Sequence, residues 1–559
     1  MKSKMLKKTI KILGWFLGTI LLLLTGLVLY ISYLYYSPGG KPPTPNSLSS
    51  LQSQVTEPDN GLFKLDNSWF RKSESGYYEL YTEGEPFERG VANGKLTKTL
   101  VQHQEEVFTK QIKQLIPSPS YRNILKYAIK LFNRNLNKNI PEEYQLEIYG
   151  VSQSASHGFD YIDNSYQRIL NYHAAHDIGH ALQNISLVGC TSFATWGNKS
   201  EDSTLIIGRN FDFYLGDDFA RDKIIAFCNP AQGYKFMMVT FGGMTGVLSG
   251  MNVKGLAVTI NAAKSEFQFS SATPVSLVAR EILQYASTLK EAYEIAEKRK
   301  MFVSESFLIG SAADGRAAII EKTPDTMDLV QSLDNYIICT NHFQGNPLGS
   351  TPLNRDHMQQ SASLYRFDRV QQLLKRQQKN SISKTALILR DQKGLDDRDI
   401  GMGNEKVINQ LVANHGIIFL PEKGLVWIST APWQLGKFVC YDLNKIFNDP
   451  MNKNHEVFEK DRTIPPDLFL TTPEYQAYLK FSPYRFPFNP HTGLQPDSLV
   501  KWNPNSYQAY MEAGDFYFQR DEFVKAAPLY RIGLTKEVAT LQERDHMKKN
   551  HKLCNEKIK

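Results

Sequence analysis

A run of 25 uncharged residues near the amino terminus places the strongest constraint on how this chain can fold. From Ile12 to Tyr36 the run is rich in Leu, Ile, Val, Phe and Tyr. At about 1.5 Å of rise per residue, a helix of this length exceeds the roughly 30 Å hydrocarbon core of a bilayer. The run therefore predicts a single membrane-spanning helix.

The residues that flank this run predict its orientation. Five lysines precede it, namely Lys2, Lys4, Lys7, Lys8 and Lys11. Tyrosines cluster at its other end, as in an interfacial aromatic belt, and lysines mark the cytoplasmic side. We therefore expect a cytoplasmic amino terminus and a body outside the cytoplasmic membrane. The alternative is a cleaved signal peptide, but its apolar region is normally only about 7 to 15 residues long.

The charge of the body argues against a nucleic-acid partner. The formal net charge is +7, from 64 Lys+Arg and 57 Asp+Glu, but five of these positive charges are the amino-terminal lysines. The remainder of the chain is nearly neutral, whereas nucleic-acid binding requires clustered Lys and Arg. The chain is 42% hydrophobic and 22% charged, which is typical of a packed soluble body.

The cysteines do not form a pattern typical of disulfides or of a zinc ribbon. There are five of them, an odd number, and no two are spaced as a CxxC pair: Cys190, Cys228, Cys339, Cys440 and Cys554. We expect at least one free thiol.

Periodicity divides the body into a helical part followed by a part rich in strands. Between Phe63 and Ile185 the pattern is mostly helical, with helices over Glu105 to Leu115 and Tyr121 to Leu136. After Val188, short β-favouring runs predict strands, at Thr204–Arg209, Lys235–Phe241, Gly246–Met251, Gly255–Asn261, Phe307–Ala312, Ala317–Glu321, Tyr336–Thr340, Gly416–Leu420 and Leu425–Thr430. Val275 to Lys298 predicts a helix that packs on this sheet. Strands, helices and further strands predict a layered α+β domain.

The carboxyl-terminal region has the spacing of one tetratricopeptide repeat, at Gly514, Tyr517, Ala526, Tyr530 and Gly533. A single repeat cannot bury its own apolar face. A helical hairpin packed on the main domain is therefore favoured over a separate peptide-binding module.

Residues of types that are used in catalysis stand at the ends of several predicted strands. Gly189-Cys190-Thr191-Ser192 opens the strand-rich part, and Gly208-Arg209-Asn210-Phe211-Asp212 closes the next strand. A third strand ends at Asn261, Thr340-Asn341-His342-Phe343 follows another, and Ser363-Leu364-Tyr365-Arg366-Phe367 begins a helix. Taken alone, each asparagine is a typical turn former, and Arg209 with Asp212 a typical surface ion pair.

Together these motifs resemble the cysteine branch of the N-terminal-nucleophile (Ntn) hydrolases, in particular the penicillin acyltransferase family, which is related to choloylglycine hydrolases and acid ceramidase. The upstream signature of the family is also present, as Gly84-Glu85-Pro86-Phe87-Glu88-Arg89-Gly90 with Gly94. The similarity runs from about Tyr81 to Leu443. It implies a four-layer αββα fold, with the anchor, a helix-rich lead-in and the terminal hairpin added to it.

The resemblance also implies the roles of the site residues. Relatives cut themselves before the cysteine, which implies cleavage between Gly189 and Cys190, and the new terminal amine then serves as the base for the Cys190 thiol. Such an amine titrates near pH 8, which suits neutral pH. Asp212 would orient the amine, and Arg209 would favour the thiolate. Asn261 and Asn341 match the oxyanion and amine-positioning residues, and Arg366 matches a bracing arginine.

Two features depart from the family pattern. The interval from Cys190 to Asp212 is longer than in relatives, with Asn198 to Asp202 predicted as a widened turn. Choloylglycine hydrolases also begin almost at their cysteine, so the resemblance does not extend to bile-salt specificity.

A second cluster of residues supports a different chemistry. His173, His176 and His180 fall on one helical face, a spacing that can bind zinc, but they lack the glutamate of an HExxH motif. Packing near the scissile Gly189–Cys190 bond, or a place in the lining of the substrate pocket, is favoured over a metal site. A zinc hydrolase remains one alternative function. A catalytically inactive, anchored binding protein with the same fold is the other.

We therefore expect an autoproteolytic amidohydrolase or acyltransferase that forms an acyl thioester on Cys190. The expected partners are a small N-acyl amide or amphipathic substrate and the membrane, with no cofactor and no nucleic acid. The predicted division of the chain is 1–36 basic tip and anchor, 37–62 linker, 63–189 lead-in, 190–450 catalytic core, 451–500 irregular connection and 501–559 helical hairpin.

Overall fold

The computed structural model describes residues 2–36, 40–59, 61–174, 177, 189–213, 216–264, 266, 268, 271–412, 414–451, 456–485 and 495–559. Its strands are β1 (Thr56–Asp59), β2 (Leu62–Leu65), β3 (Ser68–Lys72), β4 (Tyr78–Gly84), β5 (Thr191–Thr195), β6 (Ile206–Phe211), β7 (Ile224–Pro230), β8 (Phe236–Thr240), β9 (Ser249–Asn252), β10 (Leu256–Ala262), β11 (Glu305–Ser311), β12 (Arg316–Lys322), β13 (Met327–Val330), β14 (Tyr336–Cys339), β15 (His415–Leu420), β16 (Leu425–Ser429), β17 (Phe438–Asp442) and β18 (Phe458–Ile464).

These strands form two large sheets. Among the described residues, the larger sheet has 11 strands in the order β1-β2-β3-β4-β7-β8-β9-β10-β11-β12-β13, and the smaller has seven in the order β14-β5-β6-β15-β16-β17-β18. The β4–β7 pair is parallel, and it joins a strand that precedes Cys190 to one that follows it. The predicted α+β class is confirmed.

The helices are α1 (Lys2–Tyr36), α2 (Pro86–Leu96), α3 (Lys98–Leu115), α4 (Pro119–Phe132), α5 (Glu142–Ser152), α6 (Ser165–His173), α7 (Asp217–Arg221), α8 (Val275–Tyr285), α9 (Leu289–Lys298), α10 (Pro352–Gln360), α11 (Ser363–Arg376), α12 (Ile382–Leu389), α13 (Leu443–Asn448), α14 (Pro473–Phe481), α15 (Pro496–Trp502), α16 (Tyr507–Phe518), α17 (Phe523–Gly533) and α18 (Leu541–Ile558).

Separate apolar clusters bury the two faces of each sheet. One cluster joins Ile207 of the smaller sheet to Phe227 of the larger. Another packs helices such as α5 and α8 against the larger sheet, and a third packs α11 and α12 against the smaller. Gly208 of β6 permits close packing of α12, because a Cβ there would lie 2.6 Å from Thr385 Cγ2.

The lead-in is less helical than predicted. The residues from Phe63 to Gly84 lie in strands β2 to β4, which extend the larger sheet, whereas the predicted helices correspond to α3 and α4. Alternating buried aromatic residues in these strands, such as Trp69 and Tyr81, stack on one another with ring centroids 6.1 Å apart.

The predicted helix Val275–Lys298 is interrupted, and forms α8 and α9. Thr288 caps the second helix by accepting from the Glu291 backbone N–H, and the Glu291 side chain accepts from the Thr288 backbone in return. Such a capping box satisfies backbone donors that would otherwise be unpaired, so it fixes a new helix start.

The segment 451–500, which was predicted to be an irregular connection, contains regular elements in its described residues 451, 456–485 and 495–500. It contributes β18 to the smaller sheet, and α14 and α15 to an apolar cluster that also includes Leu411 and Leu435. At the carboxyl end, α16 and α17 pack closely because Gly514 lies against the Tyr530 ring. Helix α18 packs on α17.

The amino-terminal run forms one long helix, α1. Within it, the stretch from Ile10 to Tyr33 is long and apolar enough to cross a membrane, and this stretch is unburied in the structure. A signal sequence near the amino terminus would satisfy the same criteria of length and composition.

Candidate active site

The predicted site residues lie together where the two sheets end. Cys190 immediately precedes β5, and Arg209 and Asp212 lie at the end of the neighbouring strand β6. Asn261 is near the end of β10, Asn341 follows β14, and Arg366 lies in the first turn of α11. All six side chains are buried. The burial excludes a surface ion pair between Arg209 and Asp212.

The widened turn between β5 and β6 has little effect on this arrangement. Residues Gly197–Lys199 form a short 3-10 turn between β5 and β6. The strands still pair in antiparallel register, with Thr191 opposite Asn210. The longer interval between Cys190 and Asp212 therefore extends a hairpin, as predicted.

Arg209 is aimed at the Cys190 sulfur. Its Nη2 donates to Cys190 Sγ at 3.8 Å and to the Ile260 carbonyl, while Nη1 donates to the Leu248 carbonyl at 2.9 Å. The guanidinium also lies over the Phe211 ring, 4.5 Å from its centroid. Backbone carbonyls thus fix a cation beside the sulfur without neutralising it.

Cys190 is poorly activated in the intact chain. Burial raises the pKa of its thiol to about 11, although Arg209 opposes the change. The thiol donates a long bond of 4.0 Å to the backbone carbonyl of Asp212. At neutral pH the group is therefore a thiol, and a base is required to make it nucleophilic.

Asp212 is the titratable group best placed to exchange protons near neutral pH. Burial raises the pKa of its carboxyl to about 7, against the opposing effects of Arg366, Gln434 and Arg209. Among the described residues, its oxygens accept long bonds of 3.5 Å from the side chains of Gln410 and Gln434. A carboxyl with such a pKa can both take up and release a proton at neutral pH.

The two asparagines contact backbone around the site. Asn261 Nδ2 donates to the Cys339 carbonyl at 3.1 Å, and its Oδ1 accepts from Ser192 Oγ at 3.0 Å. Asn341 Nδ2 donates to the Ala262 carbonyl at 2.9 Å. Since an amide nitrogen carries two hydrogens, each asparagine retains one donor beyond these bonds.

Arg366 links several of these groups. Its guanidinium donates to Asn341 Oδ1, to Thr191 Oγ1 at 3.2 Å and to the Cys190 carbonyl at 3.5 Å. It therefore braces both the strand that carries Cys190 and one asparagine, which is the position predicted for it.

Sequence reasoning did not identify Gln410 and Gln434. Gln410 Nε2 donates to the Gly189 carbonyl at 2.8 Å, and Gln434 Nε2 donates to Asp212. Gln410 precedes β15 and Gln434 follows β16, and neither has a motif around it. Only the fold brings them to Cys190.

A second buried carboxyl, Glu305, lies at the start of β11. Burial raises its pKa well above the ordinary value, Asp177 raises it further, and Arg209 opposes this. Among the described residues, neither of its oxygens has a hydrogen-bond partner. Its burial therefore favours the protonated, neutral form of the carboxyl.

One of the three histidines of the predicted cluster lies among the described residues. His173 is buried at the end of α6, where Nδ1 contacts the Ile169 carbonyl at 2.8 Å and Nε2 accepts from the Thr245 backbone N–H at 2.9 Å. Burial lowers its pKa to about 4. Both ring nitrogens of His173 are thus occupied, which disfavours a zinc ligand there. His176 and His180 lie outside the described residues.

A family model matches the middle of the chain. Residues 198–406 match acyl-coenzyme A:6-aminopenicillanic acid acyl-transferase, which confirms over this segment the family that the motifs predict. Five of the six predicted site residues lie inside the match, and Cys190 lies eight residues before it. The match covers about 37% of the chain.

Other similar proteins cover less than half of the chain. An uncharacterized protein of Archaeoglobus fulgidus is 27% identical over 270 residues, which are 45% of this chain and 44% of the relative. The N-acylethanolamine-hydrolyzing acid amidase ortholog of Caenorhabditis elegans is 16% identical with a TM-score of 0.31, covering 42% of this chain and 93% of the other.

A mutant conjugated bile acid hydrolase of Clostridium perfringens gives similar values. It is 16% identical with a TM-score of 0.29, covering 46% of this chain and 93% of the other. Such low TM-scores support no conclusion about this chain.

Proposed function

We propose, on the premise that residues 198–406 match the acyl-transferase family, that the whole chain is a membrane-anchored, self-processing cysteine amidohydrolase or acyltransferase. The observation that carries the proposal is the convergence on Cys190 of a fixed cation, a carboxyl of near-neutral pKa and two amide donors. These are the parts that acyl transfer through a thioester requires.

The first step is cleavage between Gly189 and Cys190, which frees the α-amine of Cys190. An α-amine titrates near pH 8, about two units below lysine, so it can act as a base at neutral pH. The thiol and its base then belong to one residue. Asp212 orients the amine, and Arg209, 3.8 Å from the sulfur, stabilises the thiolate.

In the second step the thiolate attacks the carbonyl carbon of a linear N-acyl amide. Asn261 and Asn341 donate from neutral amides to the developing oxyanion, and one such donor typically contributes about 3 to 4 kcal/mol. The nitrogen of the substrate takes a proton and leaves as an amine, which gives an acyl thioester on Cys190. Water or a second amine then accepts the acyl group.

The proposed architecture is a four-layer αββα core over residues 190–450, preceded by the lead-in 63–189 and followed by the terminal helices. The apolar clusters on both faces of each sheet support it. The parallel β4–β7 pair supports association of the two chains after cleavage, because it joins the lead-in to the core by a seven-residue register.

The proposed location is the outer face of the cytoplasmic membrane, with the amino terminus inside. The apolar helix Ile10–Tyr33 and the lysines before it support this topology. An anchored enzyme of this kind suits amphipathic N-acyl amides, which concentrate at the membrane surface.

The test is amine release from a panel of N-acyl amides that differ in acyl length and in amine. We expect one class to be hydrolysed, and a Cys190→Ala variant to release no amine from it. Rapid acid quenching should trap the acyl group as added mass on the fragment that begins at Cys190, and hydroxylamine should remove it. Amine release that survives Cys190→Ala or stops on zinc chelation would contradict the proposal.

A further inference from the structure

The carbonyl of Gly189 is held by a side chain from a distant part of the sequence. Gln410 Nε2 donates to this oxygen at 2.8 Å, and both residues are buried. The Gly189 backbone N–H is fixed as well, since it donates to the Asp212 carbonyl at 2.8 Å. Both main-chain polar atoms of Gly189 are therefore held, and its carbonyl is the oxygen of the scissile peptide bond.

We propose that Gln410 is the oxyanion donor of self-cleavage, and thus a catalytic residue of maturation. The inference rests on the proposed function, because it assumes that Cys190 attacks the Gly189 carbonyl carbon. The oxygen that Gln410 contacts is the one on which negative charge would develop during that attack. A donor already aligned with this oxygen stabilises the charge without reorganisation.

Self-cleavage would transfer the Gly189 acyl group from the Cys190 nitrogen to the Cys190 sulfur and then to water. The Cys190 sulfur bonds to the Gly189 carbonyl carbon, the carbonyl electron pair moves to oxygen, and the thiol proton passes to the Asp212 carboxylate. The C–N bond then breaks, and the Cys190 nitrogen takes that proton to become a free amine. Water hydrolyses the resulting thioester, which releases the Gly189 carboxylate and restores the thiol.

The chemistry of the neighbours determines which end of the Gln410 amide faces the scissile bond. The Gly189 carbonyl can only accept a hydrogen bond, so the amide must present its nitrogen there. The same nitrogen also lies 3.5 Å from Asp212 Oδ2. Gln410 therefore links the proposed oxyanion to the proposed proton carrier.

A glycine before Cys190 fits this arrangement. A Cβ on residue 189 would lie 2.6 Å from Gln410 Nε2 and 2.8 Å from its Oε1. Any larger residue would push the amide away from the carbonyl. The identity of Gly189 is thus explained by the approach of Gln410.

The carboxyl-terminal region holds Gln410 in place. Arg485 Nη1 donates to the Gln410 main-chain carbonyl at 2.6 Å and to Tyr478 Oη at 3.2 Å, and Tyr478 Oη donates to the Leu411 carbonyl at 3.3 Å. The family match ends at residue 406, so these residues lie beyond it. Arg485 is therefore a positioning residue, which gives the terminal region a role in maturation.

The experiment follows the appearance of the fragment 190–559 in full-length protein made by cell-free synthesis in detergent. Gln410→Ala should slow cleavage by about 100- to 1,000-fold, the usual effect of losing one oxyanion donor. Gln434→Ala is the matched control, since it removes a contact to Asp212 but none to Gly189, and it should slow cleavage less. Equal rates for wild type and Gln410→Ala would overturn the inference.

A second variant covers the case in which Gln410→Ala fails to fold. Gln410→Glu is close in shape, and its carboxyl can donate only when protonated. Its cleavage rate relative to wild type should therefore rise at least about tenfold from pH 8 to pH 5. A ratio that does not change with pH would overturn the inference. Failure of wild type itself to cleave would instead refute the proposed function.

Arg485 has its own test. Arg485→Ala should slow cleavage by about tenfold, and the double variant with Gln410→Ala should be no slower than Gln410→Ala alone, since both act through one bond. Multiplied effects would show that Arg485 acts on general stability and not on Gln410.

Discussion

The polar cluster around Glu147 and the polar cluster around Cys190 are both buried, but they are built in opposite ways. Glu147 of α5 bonds to Arg89 at 2.7 Å and to Arg280 at 3.1 Å. Burial raises the pKa of its carboxyl, but the two arginines outweigh it and leave the pKa below its ordinary value. The Glu147 carboxylate is thus paired with two buried cations.

Around Cys190 the contacts are long and the charged forms are disfavoured. The bonds to Cys190 Sγ and to the Asp212 carboxyl measure 3.5 to 4.0 Å, and burial raises both pKa values. The comparison teaches that one cluster stabilises the fold, while the other keeps groups ready to change protonation state at the expense of stability.

The Glu147 cluster also crosses the proposed cleavage point. Arg89 and Glu147 precede Cys190 in the chain, and Arg280 follows it. Cleavage would leave this ion pair network intact between the two fragments. Together with the β4–β7 strand pair, it links the lead-in to the core.

The largest expected effect comes from Asp212→Asn. Loss of a positioned proton carrier should reduce both self-cleavage and amine release by at least about 100-fold. Fragment formation and amine release measure the two rates. The exposed Asp325→Asn is the control, and it should leave both unchanged. Normal rates in Asp212→Asn would show that the near-neutral carboxyl is not used.

The next effect tests the paired cluster. Glu147→Gln removes the carboxylate that two buried arginines share, and should lower the free energy of unfolding by about 3 kcal/mol or more. Denaturant unfolding measures this change. Glu294, in an exposed pair with Lys290 at 3.7 Å, is the control, and Glu294→Gln should change stability by less than about 0.5 kcal/mol. Equal effects at both sites would show that the buried Glu147 carboxylate stabilises the fold no more than an exposed ion pair does.

A smaller effect should appear in the pH dependence of stability. The folded pKa of Asp212, about 7, exceeds the ordinary carboxyl value of 3.8, so the folded state binds the proton more tightly. The stability that the protonated Asp212 carboxyl contributes is fully present below about pH 4 and is lost as the pH rises to about 7. Asp212→Asn should therefore raise the melting temperature more at pH 8 than at pH 5. A constant difference would contradict the raised pKa.

The smallest effect is expected from Glu305→Gln. Burial favours the neutral form of its carboxyl, so an amide of the same shape should change the free energy of unfolding by less than about 1 kcal/mol. The same substitution at Glu147 is the contrasting case. A loss of several kcal/mol at Glu305 would mean that it is ionised and paired with Arg209.

Nine of the 13 strands that the structure describes between Thr191 and Asp442 were predictable because local patterns specify them, whereas β5, β7, β13 and β17 were missed. Asn261, Asn341 and Arg366 each stand at the end of a strand or the start of a helix, where the family motifs place them. The place of β4 in the larger sheet was not predictable, since its pairing with β7 depends on a partner more than a hundred residues away.

Gln410 was not predictable for a related reason. Its role depends on a contact with Gly189 across 221 positions of sequence, and on support from Arg485 a further 75 positions away. No local pattern encodes such contacts. The irregular connection predicted for 451–500 was wrong because β18 gains its stability from the sheet it joins.

The most direct test of the central claim is the intact mass and amino-terminal sequence of the purified protein beside Cys190→Ala. The account predicts that wild type yields a fragment with Cys190 as its first residue and that Cys190→Ala stays whole. If both proteins stay whole across pH and reducing conditions, Cys190 is not a self-activating nucleophile and the account is contradicted.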